Sequence, residues 1–243
     1  MSGEPAADPA RPARRWRPAP VDRAGRRFGQ LTVGLVLYAL SITMLVRSGL
    51  GNMPWDVLSQ GASRQTGWSF GALTVLVSVL VLLCWVPLRQ RPGLGTVANV
   101  VVIGLLVDPF LALLARLPHP LPWWGAGALA LTGIALNGLA TALYIGARMG
   151  PGPRDGLMTG LVRRTGWPTG VVRTSIEVSV VAVGWTLGGT LGFATLAYAL
   201  AIGPVVHVLL PRLTVAPSGS PGRGPGATTR PDPRGPGASS TVR

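Results

Sequence analysis

A stretch of 21 residues near position 50 recurs, without a gap, 99 positions further along the chain. Residues 51–71, GNMPWDVLSQGASRQTGWSFG, align with residues 150–170, GPGPRDGLMTGLVRRTGWPTG, and ten of the aligned positions are identical. Chance would give about one or two matches in a composition so rich in Gly and Leu. The identical positions include Pro54/Pro153, Asp56/Asp155, Arg64/Arg163, Thr66/Thr165 and Gly67/Gly166. The sequence therefore predicts two copies of one structural unit.

The composition is that of a membrane protein with polar tails. Hydrophobic residues make up 48% of the chain and charged residues only 12%, and the mean hydropathy is +0.42. A soluble domain carries about 25% charged residues. Much of the charge lies in an Arg/Pro-rich tail, 1–27, and a Pro/Gly-rich tail, 214–243. Both tails have too few aliphatic residues to bury a core, and we expect them to be disordered.

Six apolar windows are long enough to cross the hydrocarbon core, which takes about 20 helical residues. The repeat divides them into a first unit, 28–115, and a second unit, 123–213, joined by a linker, 116–122. Three spans per unit is an odd number, so the second unit enters the membrane from the opposite side. The sequence predicts an all-α, six-span protein built from two three-helix inverted repeats. The windows are 28–46, 68–88, 95–115, 123–147, 170–190 and 191–211.

The distribution of arginine predicts the orientation. With the N-terminus inside, the outer loops keep only Arg47, Arg64 and Arg116. All other arginines of the loops and tails lie on the inner side, as cytoplasmic loops prefer. Both termini are therefore expected in the cytoplasm. The net charge of +14 has the same explanation, so no nucleic-acid partner is expected.

The repeated motif predicts a short helix after the first span of each unit. Pro54 and Pro153 suit the first helical position. Asp56 and Asp155 then suit the positive end of the helix dipole, and Gly67 and Gly166 suit its end. Such a helix of about 12 residues is roughly 18 Å long and cannot span. It either lies flat at the interface or dips into the bundle with its N–H groups toward a solute.

The motif also carries a family resemblance. The run LGNMPWDVLSQGASRQTGWSFG, followed by WVPLRQRPGLGTVANVVVIGLLVD, resembles the bacterial YczE/YyaS/YitT group of integral membrane proteins. The shared features are the Gly-x-x-Pro-Trp-Asp start, the Thr-Gly end of the short helix and the Arg-Pro-Gly-x-Gly-Thr that opens the third span. The resemblance covers about residues 28–212. It implies a multi-pass protein of the bacterial plasma membrane and supplies no catalytic or binding residues.

Ionisable residues within the spans are candidates for a functional site, because charge at bilayer depth is costly. Arg173 and Glu177 lie four apart on one helix face and can pair, either as a structural ion pair or as part of a solute path. Asp108, near the outer end of the third span, is a further candidate unless it only meets headgroups. The candidate path for a substrate or ion is thus Asp56, Asp155, Glu177, Arg173 and Asp108.

Catalytic chemistry is not expected. The chain has two histidines and one cysteine, without metal-ligand spacing or a phosphate-binding loop, so we predict neither a metal, a cofactor nor an enzyme. The leading hypothesis is a transporter or exporter of a small molecule or ion in the lipid bilayer. The alternatives are a non-transporting accessory protein that supports another assembly and, third, a lipid-acting enzyme. A homo-oligomer remains one option for its assembly.

Overall fold

The computed structural model describes residues 24–118 and 120–215, and over these residues the regular structure is entirely helical. Eight helices follow one another within these two described ranges. They are α1 (Ala24–Ser48), α2 (Pro54–Thr66), α3 (Phe70–Trp85), α4 (Leu94–Leu114), α5 (Trp123–Gly146), α6 (Pro153–Thr165), α7 (Thr169–Thr186) and α8 (Phe193–Leu213).

Each helix of residues 24–114 begins 99 positions before a helix of residues 123–213. We call these two ranges the first and second halves, and we call the residue 99 positions away the mate of a given residue. Each of the six apolar windows overlaps one of the helices α1, α3, α4, α5, α7 and α8 over most of its length. The two predicted short helices are α2 and α6, of 13 residues each.

The two short helices begin and end for the same local reasons. Each has proline in its first turn and ends at a glycine in the left-handed region, Gly67 at φ 74° and Gly166 at φ 71°. The hydroxyls of Thr66 and Thr165 each donate to the carbonyl four residues earlier, at 2.8 Å. A residue without a β-carbon is favoured at a positive φ, which explains both glycines.

The antiparallel pair α1 and α5 forms the centre of the bundle. Gly34 of α1 packs on the backbone of Tyr144, and its mate Gly133 of α5 packs on the Ser41 carbonyl. Helices α4 and α8 flank this pair, α2 packs on α7, and α3 packs on α6. The absence of side chains at Gly34 and Gly133 is what allows the two central backbones to approach so closely.

Each half also holds the start of a helix from the other half. The Gly95 N–H at the start of α4 donates to the Met149 carbonyl at 2.8 Å. Its mate Ala194, at the start of α8, donates to the Leu50 carbonyl at 2.9 Å. The loops before α2 and α6 are therefore fixed by α8 and α4, respectively, and the two halves are interlocked.

Four helices, α1, α4, α5 and α8, are long and apolar enough to cross a membrane. A fifth span results if α2 and α3 are counted as one segment, which bends by 119° between them. The chain is thus a multi-pass membrane protein. Its large apolar side chains that face outward, such as Leu105 and Phe193, lie on the surface that lipid would cover.

The predicted tails lie largely outside the described residues. Residues 24–27, assigned to the N-terminal tail from the sequence, form the first turn of α1. Residues 214 and 215 follow α8, and the Val215 N–H donates to the Gly146 carbonyl at 3.1 Å. The remainder, 1–23 and 216–243, falls outside the described range.

Candidate functional site

The two short helices direct their N-terminal ends into the bundle. Met53 and Val57 at the start of α2 are 1% and 0% exposed, whereas Arg64 and Thr66 at its end are exposed. Helix α6 repeats the pattern, with Pro153 buried and its last residues exposed. Of the two placements open from the sequence, this burial favours helices that dip inward.

An ion pair joins the starts of the two short helices. The Arg154 guanidinium lies 3.2 Å from Asp56 Oδ1, and Asp56 is 1% exposed. The same guanidinium stacks over the Trp55 ring at 5.4 Å from its centroid, within cation–π range. Asp56 Oδ2 is buried and has no hydrogen-bond partner among the described residues. The mate of Arg154 is Trp55. The second half therefore contributes an arginine to this contact, and the first half contributes an aspartate and a tryptophan.

A second carboxylate is held by a tyrosine. The Tyr144 hydroxyl of α5 donates to Asp155 Oδ2. The Tyr144 ring in turn meets Tyr38 of α1 edge-on, with the ring centroids 6.1 Å apart. Asp155 is thereby oriented by the central helix pair, whereas Asp56 is oriented by an arginine.

The predicted pair on α7 is also present. Arg173 Nε donates to Glu177 Oε1 at 2.8 Å, and the side chains are 43% and 25% exposed. Among the described residues, Arg154 and Arg173 thus each hydrogen-bond one carboxylate.

These groups surround one cavity of about 420 Å³ to which all eight helices contribute. We call this cavity the chamber. Its size falls in the range of small-molecule sites, about 300–1,000 Å³. Its polar and aromatic lining residues are Tyr38, Trp55, Thr74, Ser78, Asn99, Thr141, Tyr144, Arg154, Asp155, Arg173, Glu177, Tyr198 and His207.

Asp108, the fifth candidate, lies away from the chamber. Its Oδ1 accepts the Gly71 N–H at 2.9 Å and so stabilises the first turn of α3. Its mate His207 lines the chamber. Of the five candidates, the structure therefore brings Asp155, Arg173 and Glu177 to the chamber wall and Asp56 behind Arg154.

The other motif residues lie at the far ends of α2 and α6. Arg64 donates to the Gly188 carbonyl beyond the end of α7. At the end of α6, Arg164, next to the exposed Arg163, donates to the Pro87 carbonyl beyond α3 at 2.8 Å. These arginines satisfy carbonyls at the negative ends of helices, which is a structural role.

Three tyrosines, on α1, α5 and α8, were not among the site residues predicted from the sequence. Tyr38, Tyr144 and Tyr198 meet at the chamber, and Tyr198 donates to Asn137 Oδ1 at 3.1 Å. Asn137 donates to Ser41 at 2.8 Å, a hydrogen bond between α5 and α1. All three tyrosines of the chain fall within apolar windows, and that signal could have pointed to them. Among the described residues, no three His, Cys, Asp or Glu side chains are grouped as metal ligands.

Several known proteins are similar to this chain. An "Uncharacterized protein" of Haemophilus influenzae (strain ATCC 51907 / DSM 11121 / KW20 / Rd) is 42% identical over 74% of this chain and 83% of its own length. The "Uncharacterized membrane protein YczE" of Bacillus subtilis (strain 168) is 28% identical, with the same coverage. The "Uncharacterized protein YyaS" of that species is 29% identical over 74% of this chain and 90% of its own length.

The resemblance to YczE and YyaS inferred from the motif is thus confirmed. No solved structure matches the chain. A family model described as "Family of unknown function (DUF6198)" matches residues 25–211. This range contains all eight helices apart from the first residue of α1 and the last two of α8. The chain belongs to this DUF6198 family.

Proposed function

We propose that the protein is a transporter of a small molecule or ion, built from two inverted three-span repeats. The observation that carries the proposal is the chamber, because all eight helices line it and charged side chains from α6 and α7 lie in its wall. Ionisable groups inside a membrane bundle are costly and usually mark a path for solutes or ions.

The proposed six spans are α1, α3 and α4 in the first half and α5, α7 and α8 in the second. Helices α3 and α7 have 16 and 18 residues, or about 24 and 27 Å. They approach the hydrocarbon thickness of about 30 Å, and the turns at their ends add length. The recurrence of every helix start at an offset of 99 supports the duplication, and three spans per half make the repeats inverted.

The orientation follows from the arginines. We place both termini in the cytoplasm of a bacterial cell and the protein in its plasma membrane, because the outer loops then carry few basic residues. The proposal includes no enzymatic activity. It leaves the oligomeric state open.

Two structural features favour transport over an accessory role. A purely structural bundle would pack tightly, with its short helices flat on the surface. Here charged and polar side chains are set into the apolar chamber wall, and the starts of α2 and α6 are buried with their charges facing it or each other. A lipid-acting enzyme would instead collect polar side chains at one interface.

The proposal can be tested with purified protein in phosphatidylethanolamine/phosphatidylglycerol vesicles. A panel of amino acids, small carboxylates and small amines is screened for thermal stabilisation, which a ligand of the folded state produces. Radiolabelled hits are then tested for uptake. We expect Glu177→Gln and Asp56→Asn to lower uptake about tenfold or more, since a lost hydrogen bond to a charged group costs about 1.5–3 kcal/mol.

Control variants are available away from the chamber. Ser179→Ala changes an exposed residue on the same helix as Glu177 and leaves uptake unchanged, as does Arg116→Gln in the linker. Wild-type uptake by both Glu177→Gln and Asp56→Asn would sink this assignment of residues. A panel that yields neither stabilisation nor uptake with the wild type would favour the accessory role.

A further inference from the structure

The chamber is symmetric at its centre and extends to one side only. Eight pairs of its lining residues are mates, Thr74/Arg173 and Asn99/Tyr198 among them. Ten lining residues have no mate in the lining, and nine of those ten come from residues 144–210. The centre of the chamber therefore lies where the two halves meet, and its extension runs through the second half.

This extension passes between α7 and α8. Gly203, Val206, His207 and Leu210 of α8 line it, together with Ile176 of α7. We call the gap between these residues the α7–α8 passage.

The corresponding region of the first half is closed. Val107, the mate of Val206, is 0% exposed, and Gly104, the mate of Gly203, is buried. Neither residue lines the chamber. The space between the last two helices of the repeat is thus open in the second half and closed in the first.

Two contacts between α3 and α4 close the first half. The Gly71 N–H donates to Asp108 Oδ1 at 2.9 Å. A β-carbon at Gly104 would lie 3.6 Å from Val75 Cβ, so these helices touch. In the second half, β-carbons at Gly170 and Gly203 would have no atom within 4 Å. Helix α7 therefore stands away from α8 where α3 lies against α4.

We propose that these two helix contacts are alternating gates. In the second state α7 closes on α8 as α3 leaves α4, and a mirror passage lined by residues such as Val107 and Leu111 opens. This inference rests on the proposed function and on its inverted topology. With both termini in the cytoplasm, the α7–α8 passage opens to the cytoplasm and the α3–α4 passage opens to the outside.

The duplication makes two such states close in energy. When one half closes and the other opens, the contacts between α3 and α4 are replaced by the equivalent contacts between α7 and α8. Packed interfaces of this kind are bistable. Glycine at 71, 104, 170 and 203 permits close helix approach in either half. The two halves differ at Asp108, whose mate is His207. A carboxylate is a better acceptor than an imidazole for the N–H groups at the start of a helix. This difference favours the state with α3 against α4.

Disulfide trapping tests the two gates. In a Cys84→Ser background, Val75→Cys/Gly104→Cys places two β-carbons within the range of about 3.5–4.5 Å that a disulfide needs. In its mate pair, Thr174→Cys/Gly203→Cys, a β-carbon at 203 lies more than 4 Å from Thr174 in the present state. On oxidation with copper phenanthroline we expect the first pair to react at once and the mate pair to react fully but more slowly.

Each disulfide then holds the protein in one state: the 75–104 bond keeps α3 against α4, and the 174–203 bond keeps α7 against α8. A further Val107→Cys reacts with a small water-soluble maleimide only when residues 174 and 203 are joined. The control pair Val178→Cys/Leu200→Cys lies on exposed faces of α7 and α8 and stays unlinked. No disulfide between 174 and 203 during an oxidation that completes the 75–104 bond would overturn the proposal.

Spin labels provide a second measurement if a glycine variant fails to fold. Labels at the exposed pairs Val171/Val208 and Ala72/Leu105 report the α7–α8 and α3–α4 distances, respectively. We expect two populations for each pair, with one distance short when the other is long. One fixed distance in each pair would overturn the gates. Neither readout requires a known solute, so failure of the gates is separable from failure of the uptake assay.

Discussion

At the scale of single residues, the pair formed by Asp56 and Arg154 is the charged link between the two halves. Asp56 is 1% exposed, Arg154 lies 3.2 Å from its Oδ1, and its Oδ2 has no hydrogen-bond partner in the part of the chain that the structure describes. A buried carboxylate without a countercharge is strongly unfavourable. Arg154 therefore compensates the buried charge of Asp56 and also forms part of the chamber wall.

We predict that Arg154→Gln lowers the stability of the folded protein by about 3–5 kcal/mol, because it leaves Asp56 charged, buried and unpaired. The measurement is the thermal midpoint in detergent. Asp56→Asn in the same chain should recover a large part of the loss, since it removes the uncompensated charge. Arg116→Gln is the control and changes little. Equal midpoints for Arg154→Gln and wild type would show that the ion pair is not required for folding.

The sequence predicts contacts within one helix far better than contacts between halves. Arg173 and Glu177 lie four residues apart, and helical geometry alone brings them together. Asp56 and Arg154 lie 98 apart, so their contact depends on how both short helices enter the bundle. Asp108 likewise meets Gly71 only because α3 packs on α4, and no local pattern reveals that packing.

At the scale of elements, α2 packs on α7 and α6 packs on α3, and in each contact a glycine of one helix faces a larger side chain of the other. Gly184 of α7 lies against the α2 backbone at Leu58 and next to Val57. The mate of Val57 is Gly156, and the mate of Gly184 is Trp85. The larger side chain therefore lies on the short helix in the α2–α7 contact and on the long helix in the α6–α3 contact. A β-carbon at Gly156 would overlap the Trp85 ring, and Trp85 Nε1 donates to the Pro153 carbonyl at 3.0 Å.

We predict that Trp85→Gly and Gly156→Val are each destabilising and that the double variant is less so than their sum. The first leaves a cavity, at a cost of about 3–5 kcal/mol by comparison with Trp→Ala, and the second clashes with the indole ring. Together they reproduce the Val57/Gly184 arrangement of the other half. A double-mutant cycle on thermal unfolding measures the coupling.

The control for this cycle is Gly127→Ala in α5, where an added β-carbon has no atom within 4 Å. We expect that change to be neutral or slightly stabilising. Additive effects of the Trp85 and Gly156 changes, without coupling, would mean that the two positions do not share one packing contact.

Element boundaries were predictable where proline and glycine determine them. The motif placed α2 and α6 between Pro54 and Gly67 and between Pro153 and Gly166, as the structure has them. The window 68–88 extends past α3, which ends at Trp85. An apolar window cannot reveal this end, because a turn follows in which Arg89 adopts φ 52°.

At the scale of the whole molecule, the backbone carries the duplication further than the side chains do. Every described residue with positive φ has a mate with positive φ. Two of these four pairs, Gly51/Gly150 and Gly67/Gly166, are identical residues, whereas Gly49/Arg148 and Arg89/Gly188 are not. The loops of the two halves therefore keep the same conformation where the sequence has diverged, which supports one shared unit with one shared topology.

The inverted arrangement itself is open to a direct test by reporter fusions along the chain. We predict that tags after Gln90, Arg163 and Ser218 report the cytoplasm, and that tags after Ser63, Pro118 and Thr190 report the outside. The physical reason is the odd number of spans per half combined with the arginine-poor outer loops. The fusions are made to alkaline phosphatase and to green fluorescent protein, which are active on opposite sides of the membrane. Tags within one residue of equivalent positions, after Ser63 and Arg163 or after Gln90 and Thr190, must then give opposite signals. Equal signals at such positions would mean an even number of spans in each half. The halves would then be parallel repeats, and the chamber could not open to opposite sides by exchanging their conformations.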